Sequence, residues 1–306
     1  MSSTSYSHYA WAGTIKLKLT RAASKSSFLS VMMLTISMLL PGQARAATRW
    51  VDALAASLPP GSGCGINAGY TTIQAAVNAS APGDIISVCE GFYLENVSIS
   101  IANLTLNGAQ AGNAVAGRVS GGPLESTVQG ANPIGANSVF RINAPNVVID
   151  GFTVKNPVTT SAAIGIGVKV TGNGAVIKNN IVDGVTTTDL TVNGTAQAIY
   201  LEAGPDNVQI LGNDLRNVHS NRSAKGVTIG DSSSTNPSQN IRVEGNSIEN
   251  IISDTRGAYG VSINNGNGNT ANSGLVIRNN TISTLAGGGW VPSASGLQHT
   301  RTGPAI

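Results

Sequence analysis

Charge and aromatic side chains are both scarce in this 306-residue chain: Asp, Glu, Lys and Arg make up 11% of it, and Phe, Trp and Tyr 4%. So few aromatics leave few platforms on which a sugar ring can stack, and Tyr200, Tyr259 and Trp290 are the best of them. Cysteine is limited to Cys64 and Cys89. A metal pair or a reactive thiol is one use for these two, a disulfide the other. With no histidine or third cysteine close by, the disulfide is the preferred reading. Neither a DxDxDG loop nor a GGxGxD repeat occurs. Calcium therefore has oxygen donors available in Asp183, Asp214 and Asp254 but no motif that gathers them, and no cofactor is evident. A helical period of 3.6 residues is missing too, which argues against helical repeats.

Long apolar runs are equally rare. The one from Phe28 to Leu40 is too short to span a bilayer comfortably. It follows Lys16, Lys18, Arg21 and Lys25 and precedes Ala44-Arg45-Ala46, a small-x-small cleavage site, so residues 1–46 read as a secretory signal peptide. They carry five basic side chains and no acidic one, so the formal +3 of the whole chain becomes −2 after cleavage. That removes the main support for a nucleic-acid partner. The mature protein is expected to be secreted or extracytoplasmic, with no membrane span.

What the chain has in abundance is one recurring phrase. It reads NVVIDGFTV at Asn146–Val154, AVIKNNIV at Ala175–Val182, NVQILGNDL at Asn207–Leu215, NIRVEGNSI at Asn240–Ile248 and LVIRNNTI at Leu275–Ile282. Between Ile149, Ile177, Ile210, Val243 and Ile277 the steps are 28, 33, 33 and 34 residues. Such a period marks stacked supersecondary units. Two residues after each anchor stands Gly151, Asn179, Gly212, Gly245 or Asn279, the residue types that tolerate positive φ. One residue later come Phe152 and then Asn180, Asn213, Asn246 and Asn280, four amides that stacking would set in a column, each bonding the next. A further strand lies between phrases at Gly165–Val170, Ala198–Ala203, Gly226–Gly230 and Gly260–Asn264. Three short strands per turn with Gly and Asn corners predict an all-β protein, a single-stranded parallel β-helix.

The two ends differ. Thr71 and Thr72 open a short helix at Ile73–Val77, then come the turn Ala81–Asp84, a strand Ile85–Val88, the segment Glu90–Glu95 and a strand Val97–Ile101. An open stack exposes unpaired backbone and core side chains, so residues 47–82 are expected to form a cap whose short helix, pinned by Cys64 and Cys89, plugs it. Residues 107–137, rich in Gly, Ala, Ser and Pro, form an excursion that returns as a strand at Ser126–Gln129. The coils run over 83–306. Their far end is either cut short, with Gly296–Ile306 opening another coil, or closed by a tail that folds back on Trp290.

Two motifs carry a family resemblance: the opening TTIQAAVNASAPGDIISVCEGFYLENVSI and the recurring N-V-x-I-x-G-N-x-I coils. From about Tyr70 to Ile282 the chain resembles the right-handed parallel β-helix superfamily, in particular the pectate-lyase-like proteins with short β-helix repeats. Many members of that superfamily bind, cleave or remodel polysaccharides along one face of the stack. Alternation then selects the outward side chains of the strand before each phrase. Lys169, Tyr200, Thr228 and Ser262 are expected in one solvent-facing row, and Thr171, Glu202, Gly230 and Asn264 in the next. The resemblance implies Lys169 as a candidate base, Glu202 and Asp231 as a carboxylate pair, and Tyr200, Thr228, Ser262, Asn264 and the loop residue His219 as substrate contacts.

The sequence departs from the characterised enzymes of this superfamily. Of the polygalacturonase signatures it has only Asn213-Asp214, followed by Leu215. It also lacks the catalytic core of the pectin methylesterases and the Arg-x-Pro-x-x-Arg element of classical pectate lyases. Two functions follow. One is an exported protein that binds or processes a polysaccharide or cell-surface glycan, as a lyase or a glycoside hydrolase if it is an enzyme. The other is a non-catalytic, adhesin-like or structural extracellular rod.

Overall fold

The computed structural model describes residues 45–131, 138–158, 164–187, 194–230, 236–265, 272–288 and 294–301. In the recurring phrase the first strand is short because a Gly or Asn in the left-handed region ends it. Gly151, Asn179, Gly212, Gly245 and Asn279 all have φ between +52° and +77°. What lies between these corners stacks, coil upon coil, into three parallel sheets.

The first sheet holds β1 (Thr48–Val51), β2 (Ile85–Val88), β5 (Thr105–Asn107), β8 (Val148–Asp150), β11 (Val176–Lys178), β14 (Gln209–Leu211), β17 (Arg242–Glu244) and β20 (Val276–Arg278). The second holds β3 (Gly91–Leu94), β6 (Ser126–Gln129), β9 (Phe152–Val158), β12 (Ile181–Thr187), β15 (Asp214–Ser220), β18 (Ser247–Ser253) and β21 (Thr281–Gly287). The third holds β4 (Val97–Ile99), β7 (Ser138–Ile142), β10 (Ile164–Val170), β13 (Thr195–Leu201), β16 (Ser223–Ile229), β19 (Ala258–Asn265) and β22 (Ala294–Arg301). The chain visits the three sheets in turn, and every pairing is parallel. This is a right-handed parallel β-helix.

Each complete coil adds at least one apolar side chain to the core from each sheet. Ile177, Ile210 and Val243 come from the first, Val182, Leu215 and Ile248 from the second, and Val168, Ile199, Val227 and Val261 from the third. All are fully buried, at about 1.5–3 kcal/mol apiece. Alongside them runs a column of amides. The Oδ1 atoms of Asn213, Asn246 and Asn280 each accept the backbone and side-chain N–H of the asparagine one coil earlier, at 2.9–3.1 Å. The column ends on the Phe152 N–H, which donates to Asn180 Oδ1 at 3.0 Å.

At the N-terminal end, α1 (Ile73–Asn78) buries Ile73, Ala76 and Val77 against the first coils. Thr72 Oγ1 accepts the Ala75 N–H, and the Glu95 carboxylate accepts those of Ile73 and Gln74 at 2.8 and 2.9 Å. Cys64 and Cys89 form a disulfide that closes a loop across a sequence separation of 25. Changing both to serine is expected to cost about 3 kcal/mol of unfolding free energy. Denaturant titration of the two proteins checks this. Among the described residues, no helix is long and apolar enough to cross a membrane. At the other end, β22 pairs with β19 and completes the coil begun by β20 and β21, while Trp290 lies outside the described residues.

The excursion between β5 and β6 folds over the outer face of the second sheet. Gly151 permits this: a Cβ there would sit 2.1 Å from the Ala111 nitrogen. Arg118 pins the excursion. It pairs with Glu125 through Nε–Oε1 at 2.9 Å and Nη2–Oε2 at 2.7 Å, and donates to the Asn179 carbonyl at 2.6 Å. Thr153 Oγ1 donates to the same Glu125 carboxylate at 2.9 Å.

Candidate active site on the second sheet

The second sheet carries two register rows on its outer face, the first interrupted by the apolar Ile181 and buried except at Ser247. Thr127, Thr153, Ile181, Asp214 and Ser247 are in register in one. In the other, Gln129 pairs with Lys155 in the early coils, and Asp183, Arg216 and Glu249 align in the later ones. The register breaks where the two halves of this row meet. Val182 opposes Val154 and Val185 opposes Asn156, so Asp183 and Gly184 together face Lys155 alone. That is a β-bulge, with Gly184 at φ +80°, and it re-aims the Asp183 side chain.

Two carboxylates on neighbouring coils thereby share one guanidinium. Arg216 Nη1 lies 3.0 Å from Asp214 Oδ2, and its Nε lies 3.4 Å from Asp183 Oδ2. Asp183 Oδ1 accepts the Asn217 amide at 2.6 Å. Asp214 is buried, and its Oδ1 has no hydrogen-bond partner. The two environments push the acids apart. Burial raises the Asp214 carboxyl; Arg216 and, less strongly, Arg118 pull it down while Glu249 and Asp183 push it up, and the net shift is upward. Burial also works to raise Asp183, but the Ser120 hydroxyl, the Asn217 amide and the charges of Arg216 and Lys155 outweigh it, and the net shift is downward. Two neighbouring carboxyls pushed in opposite directions are a pattern that general acid–base chemistry uses.

A cleft of about 400 Å³ lies on the earlier coils of the same sheet, and Lys155, whose charge acts on Asp183 across the bulge, is one of the residues that line it. Phe92, Thr127, Gln129 and Lys155 form its floor, and Gly121, Gly122 and Pro123 of the excursion form its wall. Phe92, more than half exposed, supplies an aromatic face that the sequence reading did not single out.

The residues expected from sequence have a different fate. On the third sheet, Lys169, Tyr200, Thr228 and Ser262 do align in one row. Lys169 Nζ stands 2.5 Å from Glu202 Oε2 and 6.0 Å from the centre of the Tyr200 ring, so these three are brought together. Thr228 and Ser262, however, do not face solvent as expected: they are 1% and 0% exposed. Alternation decides which face a side chain takes, not what covers that face. Asn264 is half-buried, its amide directed at the Gly230 carbonyl, and Asn272 bonds the Asn264 carbonyl from outside. His219 is on β15 of the second sheet, paired with Asp254 at 2.9 Å and apart from the Lys169 cluster. Asp231 lies outside the described residues.

Asp183 and Asp214 entered the sequence reading as oxygen donors for calcium, and Asp214 also as part of the Asn213-Asp214 fragment of the polygalacturonase signatures. A signal for their role was present in the period. Asp183-Gly184, Arg216-Asn217 and Glu249-Asn250 recur 33 residues apart, a charged side chain each time followed by a residue suited to positive φ.

Among solved structures, the chain is similar to a pectin methylesterase in complex with hexasaccharide VII, with 14% identity over 75% of this chain and a TM-score of 0.37. It spans 66% of that protein's length. It is also similar to the pectin methylesterase of Aspergillus niger in penultimately deglycosylated form, with 13% identity, 78% and 91% of the two chains covered, and a TM-score of 0.38. No family model and no curated protein sequence matches the chain.

Proposed function

We propose that this is an exported β-helix protein that hydrolyses a bond in a polysaccharide, with Asp214 as general acid and Asp183 as general base. The observation that carries the reading is two carboxylates on adjacent coils held by one arginine; the nearby cleft, lined by Phe92 and Lys155, is where a sugar chain would lie in this scheme. In this scheme Asp214 gives its proton to the leaving oxygen. Asp183 takes a proton from water, and the resulting hydroxide attacks the carbon that the oxygen leaves. Arg216 orients both carboxylates. Export is supported by the disulfide, which belongs to oxidising compartments, and by the leader-like first 46 residues.

The test is release of reducing ends from a panel of neutral and acidic polysaccharides, with and without calcium. Asp214→Asn is expected to lower kcat by about 100-fold or more. The wild-type rate should fall on both sides of a window set by the lowered Asp183 and the raised Asp214. Loss of turnover in Lys169→Ala or Glu202→Ala, with Asp214→Asn active, would move the site to the third sheet. Silence across the panel from folded protein would favour the non-catalytic rod.

A further inference from the structure

We propose that Asn217 is a positioning residue for Asp183, itself held by Asn250, through a chain of side-chain amides that crosses three coils. The inference rests on the reading of Asp183 as the base. The bulge at Asp183-Gly184 persists in the next coils, because Asp183 aligns with Arg216 and then Glu249, and Thr186 with His219 and then Ile252. Each coil therefore has a left-handed residue at the same place: Gly184 at φ +80°, Asn217 at +54°, Asn250 at +53° and Thr284 at +51°.

The amides at this position bond along the stack. Asn250 Nδ2 donates to Asn217 Oδ1 at 2.5 Å, and Asn217 Nδ2 donates to Asp183 Oδ1 at 2.6 Å. Asn217 reaches the carboxylate because its own counterpart one coil earlier is glycine. With no side chain at Gly184, and open space where one would stand, the amide turns to the neighbouring aspartate. An asparagine column that ran on unbroken would have satisfied only itself. Here it ends on a carboxylate, with one oxygen taken by the amide and the other by Arg216. The other charged or polar groups facing Asp183 are Lys155 from β9, Asp214 on its own side of Arg216, Glu249 one coil beyond and Ser120 from the excursion. The amide chain adds a short hydrogen bond to the ionised form, beside those of the Ser120 hydroxyl and Arg216.

Two substitutions separate the amide from the fold. Asn217→Gly keeps the left-handed backbone and removes the amide. Gly184→Asn leaves Asn217 in place and offers its amide a competing partner on a residue that tolerates this φ. In the full mature protein, the NMR-detected titration of the Asp183 carboxyl is expected to move upward, toward the ordinary carboxylate range, in both variants. Asn250→Gly should give a smaller move in the same direction. The acid limb of the rate profile should follow, with up to about tenfold lower activity at its acid end. An Asp183 titration unmoved in Asn217→Gly and Gly184→Asn, both folded by circular dichroism, would overturn the inference. If it moves while no polysaccharide is turned over by any form, the amide chain stands and the proposed reaction falls.

Discussion

Asn213→Ala should lower the unfolding free energy by about 4 kcal/mol, a large fraction of what holds a domain together. Asn213 is fully buried and sits mid-column. Its Oδ1 accepts two N–H groups from Asn180, and its Nδ2 donates to the Ile177 carbonyl at 2.9 Å and to Asn246 Oδ1 at 2.9 Å. A methyl group replaces none of these. The Asn180 backbone N–H is left buried without an acceptor, and an orphaned donor costs more than a lost bond. Thermal unfolding followed by circular dichroism should show a midpoint lowered by roughly 10 °C. Because coils touch only their neighbours, the transition should also broaden or split at the weakened joint. Asn280→Ala is the comparison. Asn280 is half-buried, receives the Asn246 N–H groups and donates to the Val243 carbonyl, so its loss should cost clearly less. Equal losses for the two would mean that the column contributes nothing beyond local bonds.

The second large effect is expected at the ion pair beneath the excursion. Arg118 and Glu125 have 7% and 3% of their side chains exposed, and Glu125→Ala leaves the guanidinium buried without its counterion. Breaking such a pair from one side costs roughly 3–5 kcal/mol. The loss falls on the excursion first, since Arg118 and Glu125 join its middle to its end. Hydrogen exchange should rise sharply over residues 109–124 while the amides of β12 and β15 stay protected. The double variant Arg118→Met, Glu125→Leu removes both charges together. It should restore protection, because apolar partners of similar volume match or exceed a buried ion pair. Failure of the double variant to recover would show that the Asn179 carbonyl and Thr153 contacts, rather than the pair, hold the excursion down.

Much of the fold was legible because its causes are local. A corner at Asn179 or Gly212 needs only a residue that accepts positive φ, and a core position at Ile177 or Ile210 needs only alternation. The 33-residue step between Asn180, Asn213 and Asn246 then forces the amides into one column. The candidate site was legible only in part. Lys169, Tyr200 and Glu202 were placed together by the same alternation, and they do meet. Thr228 and Ser262 follow the alternation equally well and are nonetheless buried, because alternation assigns a face and not whether that face meets solvent.

By itself, then, the sequence determined the solenoid: its repeat, its three sheets, its capping helix and its column of asparagines, all set by spacing along one strand of chain. Only the tertiary structure decided where chemistry can gather. A one-residue bulge turns Asp183 toward Arg216, an excursion of some distance in sequence walls the cleft beside Lys155, and hydrogen bonds that reach Asp183 but not Asp214 separate two aspartates that are chemically identical in the unfolded chain. Those outcomes depend on neighbours brought in from other coils, and a side chain's acidity answers to the charges and solvent around it rather than to its place in a repeat.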